Sequence, residues 1–279
     1  MPTVTTSLAT ISYTDSAPED GAGPPLLLLH ANLHDSSDYA PVHDALSASR
    51  RVIAVDWPGH GNSPATDPPL GAPDFGAVAV EFVDALDLTD LVVIGNSVGG
   101  YAACRIALER PDRVAGLVLV NNGGFTPPTP LIRAFCAVMG RPAVIRTCAR
   151  FFARAYMRPK TAADVAIVAR VTARAKTPQG ARTGAAVWRS FSAPAHDLRG
   201  VAKDIATPVL ITWGARDLTA PVRWGKAVAE ALPGARFTAL PTGHVVFSSE
   251  PEAWLREVVP FLDSVQASAE RVERPSARG

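Results

Sequence analysis

What this 279-residue chain lacks narrows its function before any motif is found. It has three cysteines, Cys104, Cys136 and Cys148, an odd number without framework spacing in a chain long enough to fold without staples. That argues against a disulfide scaffold and for a reducing compartment. No His or Cys pair has ligand spacing, so no metal is expected. No apolar stretch approaches the roughly 18 residues of a membrane span, and Met1-Pro2-Thr3-Val4-Thr5-Thr6 lacks the basic start and apolar core of a secretory signal. A cytoplasmic protein without stable membrane insertion is expected. A formal net charge of +1 gives no general attraction to nucleic acid. The phosphate loop Gly-x-x-x-x-Gly-Lys-Ser/Thr is absent.

One more scarcity is local. Between Phe125 and His196 there are 12 Lys/Arg and a single acid, Asp164, so this segment carries about +11 and the rest of the chain about −10. Its texture is Ala/Arg-rich and helical, broken by Pro127-Pro128, Pro142, Pro159, Pro178 and Pro194.

Outside that segment, short continuous apolar runs alternate with helical patterns. Leu26–Leu29, Val52–Val55, Leu91–Ile94, Val114–Val120 and Val209–Trp213 read as buried strands, and Arg236–Leu240 reads as a strand. Helices are expected near Tyr39–Leu46, Asp74–Leu86, Tyr101–Arg110, Val222–Leu232 and Pro251–Val265, with one or two edge strands in Thr3–Tyr13 and a turn at Asp15–Pro25. This is an α/β chain with a mostly parallel central sheet flanked by helices, and its site belongs outside the carboxyl ends of the strands. The expected domains are a core of residues 1–124 and 197–266, a helical cap insertion at 125–196, and a flexible tail at 267–279.

The run Leu91-Val92-Val93-Ile94 ends in Gly95-Asn96-Ser97-Val98-Gly99-Gly100, a Gly-x-Ser-x-Gly between strand and helix. The glycines allow a turn in which neighbouring chain would clash with a β-carbon, and they leave the serine hydroxyl exposed. Gly-x-Gly-x-x-Gly is not found there, which disfavours a dinucleotide loop. A serine hydroxyl is a weak nucleophile and needs a base, which in turn needs an orienting group. In sheets of this type those partners follow in the order acid, then histidine. Asp217 follows the Val209–Trp213 strand, and His244 follows Arg236–Leu240.

With these residues in place, the chain is identified as a member of the α/β-hydrolase fold superfamily. Asp56-x-Pro58-Gly59-His60-Gly61-x-Ser63, Gly95-Asn96-Ser97-Val98-Gly99-Gly100, Trp213-Gly214-x-x-Asp217 and Gly243-His244 resemble successive family motifs in order. The loop His30-Ala31-Asn32-Leu33-His34-Asp35 is similar to the oxyanion loop, in the version found in small enol-lactone hydrolases and cofactor-free serine hydrolases. The resemblance implies Ser97 as nucleophile, His244 as general base and acid, Asp217 as orienting acid, and the Asn32 and Val98 N–H groups as the oxyanion hole. No cofactor is implied.

His30 and His60 are expected to be structural, one supporting the oxyanion loop and the other the Gly59–Ser63 loop; Asp56 takes a scaffold role from the resemblance. His34 reads equally as a pocket residue or a surface one, and His43 and His196 give no signal. Phe125, Phe135, Met139, Phe151 and Trp188 from the insertion, with Val245 and Val246 beside the base, are expected around an apolar pocket, His34, Phe125, Trp188 and Val245 foremost. Arg146, Arg150, Arg154 and Arg158 repeat at i, i+4 and form a solvated face, an attractor for an anionic substrate or an acidic carrier protein, or a membrane-surface contact. A small or medium ester or lactone, anionic or thioester in one variant, is the expected small-molecule substrate of a monomer or homodimer. Carbon–carbon bond hydrolysis on the same residues, and ligand binding with vestigial catalysis, stay open as alternatives.

Overall fold

Strands β3 (Leu26–Leu29), β4 (Val52–Val55), β5 (Leu91–Asn96) and β7 (Val209–Gly214) are buried along their whole length because helices cover both faces of the sheet. The computed structural model describes residues 1–18 and 23–273, with side chains to 268. The expected turn at Asp15–Pro25 therefore lies partly outside the described residues. With β1 (Thr3–Thr5), β2 (Thr10–Ser16), β6 (Val114–Val120) and β8 (Arg236–Leu240), the described strands form one sheet in the order β1-β2-β4-β3-β5-β6-β7-β8. β2 pairs antiparallel with both β1 and β4, and every other pairing is parallel.

The two-residue side-chain period sorts each strand between two cores. Leu27 and Leu29 join Ile53, Val55 and Val93 under α2 (Ala72–Ala85), α3 (Val98–Glu109) and α8 (Val222–Ala231). Leu26 and Leu28 join Val52, Ala54, Val92 and Ile94 on the opposite face, under α1 (Ala40–Ser47), the short α9 (Val246–Ser249) and α10 (Pro251–Glu273). Each such leucine contributes about 1.5–3 kcal/mol by leaving water.

Four helices lie between β6 and β7: α4 (Pro130–Met139), α5 (Pro142–Met157), α6 (Ala162–Lys176) and α7 (Pro178–Ser190). In α5, Ile145, Ala149, Ala153 and Tyr156 form the buried stripe, while Arg146, Arg150 and Arg154, with the capping residue Arg158, are exposed. Asp164, the lone acid of this segment, is fully buried at the start of α6. It accepts from the Lys160 N–H at 2.8 Å and from the hydroxyls of Ser248 (2.7 Å) and Ser249 (3.0 Å), so it caps α6 and ties it to α9. α10 continues past its expected end at Val265 to Glu273, taking in the start of the expected 267–279 tail; residues 274–279 lie outside the described residues.

Candidate active site

Ser97 joins β5 to α3 with φ 58° and ψ −116°, a conformation that costs a non-glycine residue on the order of 1–3 kcal/mol. Its surroundings enforce it. The Ser97 N–H donates to the Val120 carbonyl at 3.0 Å, and the Ser97 carbonyl accepts from Tyr101 and Gly123 at 3.1 and 2.8 Å. A Cβ at Gly95 would strike the Gly99 carbonyl, and one at Gly99 would strike the Leu29 carbonyl, so both positions must be glycine.

His244 is held by backbone and side chains together. Its N–H donates to the Tyr156 carbonyl at 3.0 Å, its carbonyl accepts from Asn96 Nδ2 at 3.2 Å, and its Nδ1–H donates to Asp217 Oδ2 at 2.5 Å. Asp217 also accepts from Asn121 Nδ2 at 2.8 Å and from the Thr219 N–H and hydroxyl at 2.7 and 2.8 Å. Burial would raise this carboxyl, but the facing His244 and the Thr219 hydrogen bonds outweigh it and leave the carboxyl below its ordinary range. Asp217 is therefore a fixed anion behind His244. Among the described residues, Ser97 Oγ makes no hydrogen bond; Ser97 and His244 meet instead on the walls of two adjoining cavities, of about 570 and 710 Å³.

Residues Ala31 to His34 of the His30–Asp35 loop share the wall of the first cavity with Ser97. Among the described residues, the N–H groups of Asn32 and Val98 donate to nothing. The Leu33 N–H donates to His60 Nε2 at 2.9 Å and the Trp57 N–H to His30 Nε2 at 3.0 Å. Both histidines are buried, and burial lowers both pKa values, so they act as neutral acceptors. Their reach is crosswise: His60 supports the loop containing Asn32, and His30 supports the start of the Trp57–Ser63 loop. Asp56 ties the two loops together, accepting from the Ser36 and Asn62 N–H groups at 2.8 Å each.

No motif in the sequence marks Arg174. From the last turn of α6 it donates to the carbonyls of Leu33 (2.5 Å) and His34 (2.6 Å) and to Asp35 Oδ2 (2.8 Å). Burial raises the Asp35 carboxyl, and the Ser37 and Arg174 hydrogen bonds more than reverse this, holding it well below the usual range. Arg170 pairs with Asp38 at 2.8 Å.

The first cavity is lined by Asn32, His34, Met139, Phe152, Tyr156 and Val171, and the second by Asn122, Phe125, Ile132, Phe135, His196 and Trp224. Trp188 and Phe191 belong to both and stand between them, their rings 5.2 Å apart. His34 thus faces a cavity, but its two nitrogens are engaged by Asp38 and by the Tyr156 hydroxyl. Val245 and Val246 correct the expectation. Both are fully buried in the core with Phe247 and line neither cavity, because the chain turns into α9 immediately after His244. Phe151 is 76% exposed on the outside of α5. Among the described residues, neither cavity is lined by Lys, Arg, Asp or Glu, and the α5 arginines face solvent. Burial pushes the Cys104 thiol up to about 12, which removes it as a nucleophile. Among the described residues, no group of three His, Cys, Asp or Glu side chains is placed to hold a metal, and no helix is long and apolar enough to cross a membrane.

Residues 24–251 match the family model described as alpha/beta hydrolase fold. The chain is similar to the pimeloyl-[acyl-carrier protein] methyl ester esterase of Chromobacterium violaceum, at 30% identity over 88% of this chain and 96% of that one. It is similar to haloalkane dehalogenase 2 of Mycobacterium tuberculosis, at 32% identity over 72% and 73% of the two chains. Among solved structures, the enol-lactonase of Burkholderia xenovorans LB400 superposes with a TM-score of 0.81 at 25% identity, over 94% of this chain and 100% of that one.

Proposed function

The chain belongs to the α/β-hydrolase fold family and is a hydrolase, and from that premise we propose that it is a serine hydrolase cleaving a small or medium ester or lactone through an acyl-enzyme on Ser97. Ser97 Oγ attacks the carbonyl carbon while His244 Nε2 takes its proton, and Asp217 keeps the imidazole oriented and favours the imidazolium. The N–H groups of Asn32 and Val98 receive the oxyanion, each worth about 10²–10³ in rate because the charge appears only in the transition state. His244 then protonates the leaving oxygen, and water attacks the acyl-enzyme by the same path in reverse. No cofactor enters. Residues 125–196 act as the cap that selects the substrate.

The observation that carries this reading is that Ser97 and His244, with Asp217 fixed behind the histidine, stand where two apolar cavities meet. One lobe suits the acyl part and the other the leaving group, and walls without charged side chains favour uncharged groups in both. A fluorophosphonate probe tests it. Wild type is expected to label and Ser97→Ala not to; equal labelling of the two, or of neither, refutes the acyl-enzyme.

A second reading takes the ester from a carrier protein. The esterase relative and the exposed Arg146, Arg150, Arg154 and Arg158 favour it. Turnover of a carrier-bound ester would then fall steeply with salt and with Arg150→Glu, while that of a free ester would not.

A further inference from the structure

Helix α4 is more apolar than its position explains. Arg133 is the one charged residue among the 10 of Pro130–Met139, yet only Cys136 and Met139 are buried. Leu131 is 79%, Val138 45% and Phe135 41% exposed. Leu131, Ala134 and Val138, at i, i+3 and i+7, form one exposed apolar stripe along the outside of the helix. A helix at a water-facing surface carries polar residues on its outer side, and one that is apolar all round is made for a non-aqueous neighbour. α5 follows after a single turn and meets α4 where the Phe135 and Phe152 rings lie 6.3 Å apart; both helices also pack on α7, so their exposed sides turn away from the core together. Phe151 adds an exposed aromatic ring from α5.

The charge around these residues has one sign. Arg133, Arg141, Arg146, Arg150, Arg154 and Arg158 are all exposed, and among the described residues none of their guanidinium groups makes an ion pair or a hydrogen bond. The single acid of residues 125–196, Asp164, is buried in the cap of α6 and unable to offset them. This pattern separates the occupants. A second copy seated here by twofold symmetry sets arginine against arginine with no acid between them. An acidic carrier protein accounts for the arginines but not for the apolar stripe. A bilayer containing anionic lipids accounts for both, offering phosphates to the guanidinium groups and its acyl boundary to Leu131, Ala134 and Val138. The inner side of the same helix supplies Ile132 and Phe135 to the second cavity, which reaches Ser97, so the apolar surface continues from the outside of α4 to the site.

We propose that the outer side of α4 and α5 docks reversibly on anionic lipid bilayers, with the α4 stripe at the headgroup–acyl boundary and the arginines on the lipid phosphates. With 10 residues against the roughly 20 of a membrane span, α4 lies on the surface and does not cross it. The inference concerns binding and does not rest on the chemistry of Ser97.

Sedimentation of the full chain with sucrose-loaded vesicles tests it, comparing pure phosphatidylcholine with equal parts phosphatidylcholine and phosphatidylglycerol. Wild type is expected to partition onto the anionic vesicles about tenfold or more better than onto the neutral ones, with the difference shrinking as salt rises. The double variant Leu131→Asp, Val138→Asp is expected to lose about tenfold or more of that binding while its melting temperature stays close to wild type, because both side chains are already exposed. Arg150→Glu with Arg154→Glu is expected to lose a similar share. Absence of wild-type binding to the anionic vesicles overturns the proposal, whether or not an acidic carrier protein binds instead. So does anionic binding that survives the Leu131/Val138 change, which would leave charge alone as its cause. A wild-type dimer that the Leu131/Val138 change converts to a monomer in analytical ultracentrifugation, without vesicle binding by either protein, overturns it in favour of a second copy. Vesicle binding by a chain whose Ser97 does not label sinks the serine reading and leaves the docking face standing.

Discussion

Asn121 Nδ2 donates to Asp217 Oδ2 at 2.8 Å, on the same oxygen that receives His244 Nδ1. Asn121 Oδ1 in turn accepts from the Gly214 N–H at 2.8 Å, so one amide side chain ties the end of β6 to the loop after β7. Asn121 holds φ 42° to do this, a left-handed conformation that asparagine tolerates better than most residues.

Asn121→Asp keeps the shape and places a second carboxylate beside Asp217. Two carboxylates sharing one site hold a proton between them, because one pKa is strongly raised. The acid limb of the kcat/KM profile is expected to move upward by about one pH unit or more, while Asn121→Ala lowers kcat about tenfold by loosening Asp217 without moving that limb. pH–rate profiles of the three proteins on one ester measure this.

Arg174→Met removes three donors from the His30–Asp35 loop and leaves Asp35 buried with less compensation. The expected cost is about 3 kcal/mol in stability and about tenfold in kcat, because the loop carries the Asn32 N–H. Thermal melts and steady-state kinetics check both. The pH dependence has a fixed sign: the folded Asp35 pKa is depressed, so its stabilisation is present above the unfolded carboxylate range near pH 4 and is lost as pH falls below it. The melting temperature of wild type is therefore expected to fall more steeply than that of Arg174→Met between about pH 5 and 2.

Much of this arrangement is legible in the sequence, and the reason differs by residue. Ser97 and Asp217 each follow an apolar run that reads as a buried strand, His244 follows the partly exposed edge strand β8, and parallel strands end on one side. Arg174 and Asn121 are not legible, because their partners lie 141 and 96 residues away in sequence, at Leu33 and Asp217, and no local pattern marks such pairings. Val245 misleads for the opposite reason: adjacency to His244 in sequence places it beside the base, whereas the turn into α9 sends its side chain to the core.

Gly99→Ala tests the sharp turn. The added methyl meets the Leu29 carbonyl, a backbone atom of the central sheet that has no room to retreat. A loss on the order of 3 kcal/mol is expected, seen as a lowered denaturation midpoint, together with loss of Ser97 labelling. An equally stable, fully labelled variant would mean that the turn is less constrained than described.

Trp188→Ala opens the partition between the two cavities. Its ring contacts Phe135, Phe152 and Phe191 at 5.5, 5.7 and 5.2 Å, so the indole fills space that no neighbour can take over. The preference between long and short acyl chains is expected to shift about tenfold or more toward long ones, measured with a p-nitrophenyl ester series. Unchanged chain-length preference would mean that the two cavities already act as one.

The anchoring of Asp164 on Ser248 and Ser249 has an evolutionary consequence. α6 is fastened a few residues beyond His244, and the neighbouring α5 supplies the carbonyl that receives the His244 N–H, so the helices above the sheet also form part of the mount of the base. They are not an interchangeable module. Grafting another family member's helices here would disturb the proposed proton relay along with selectivity, and new substrate ranges are more readily reached by single changes inside the lobes than by replacing what encloses them.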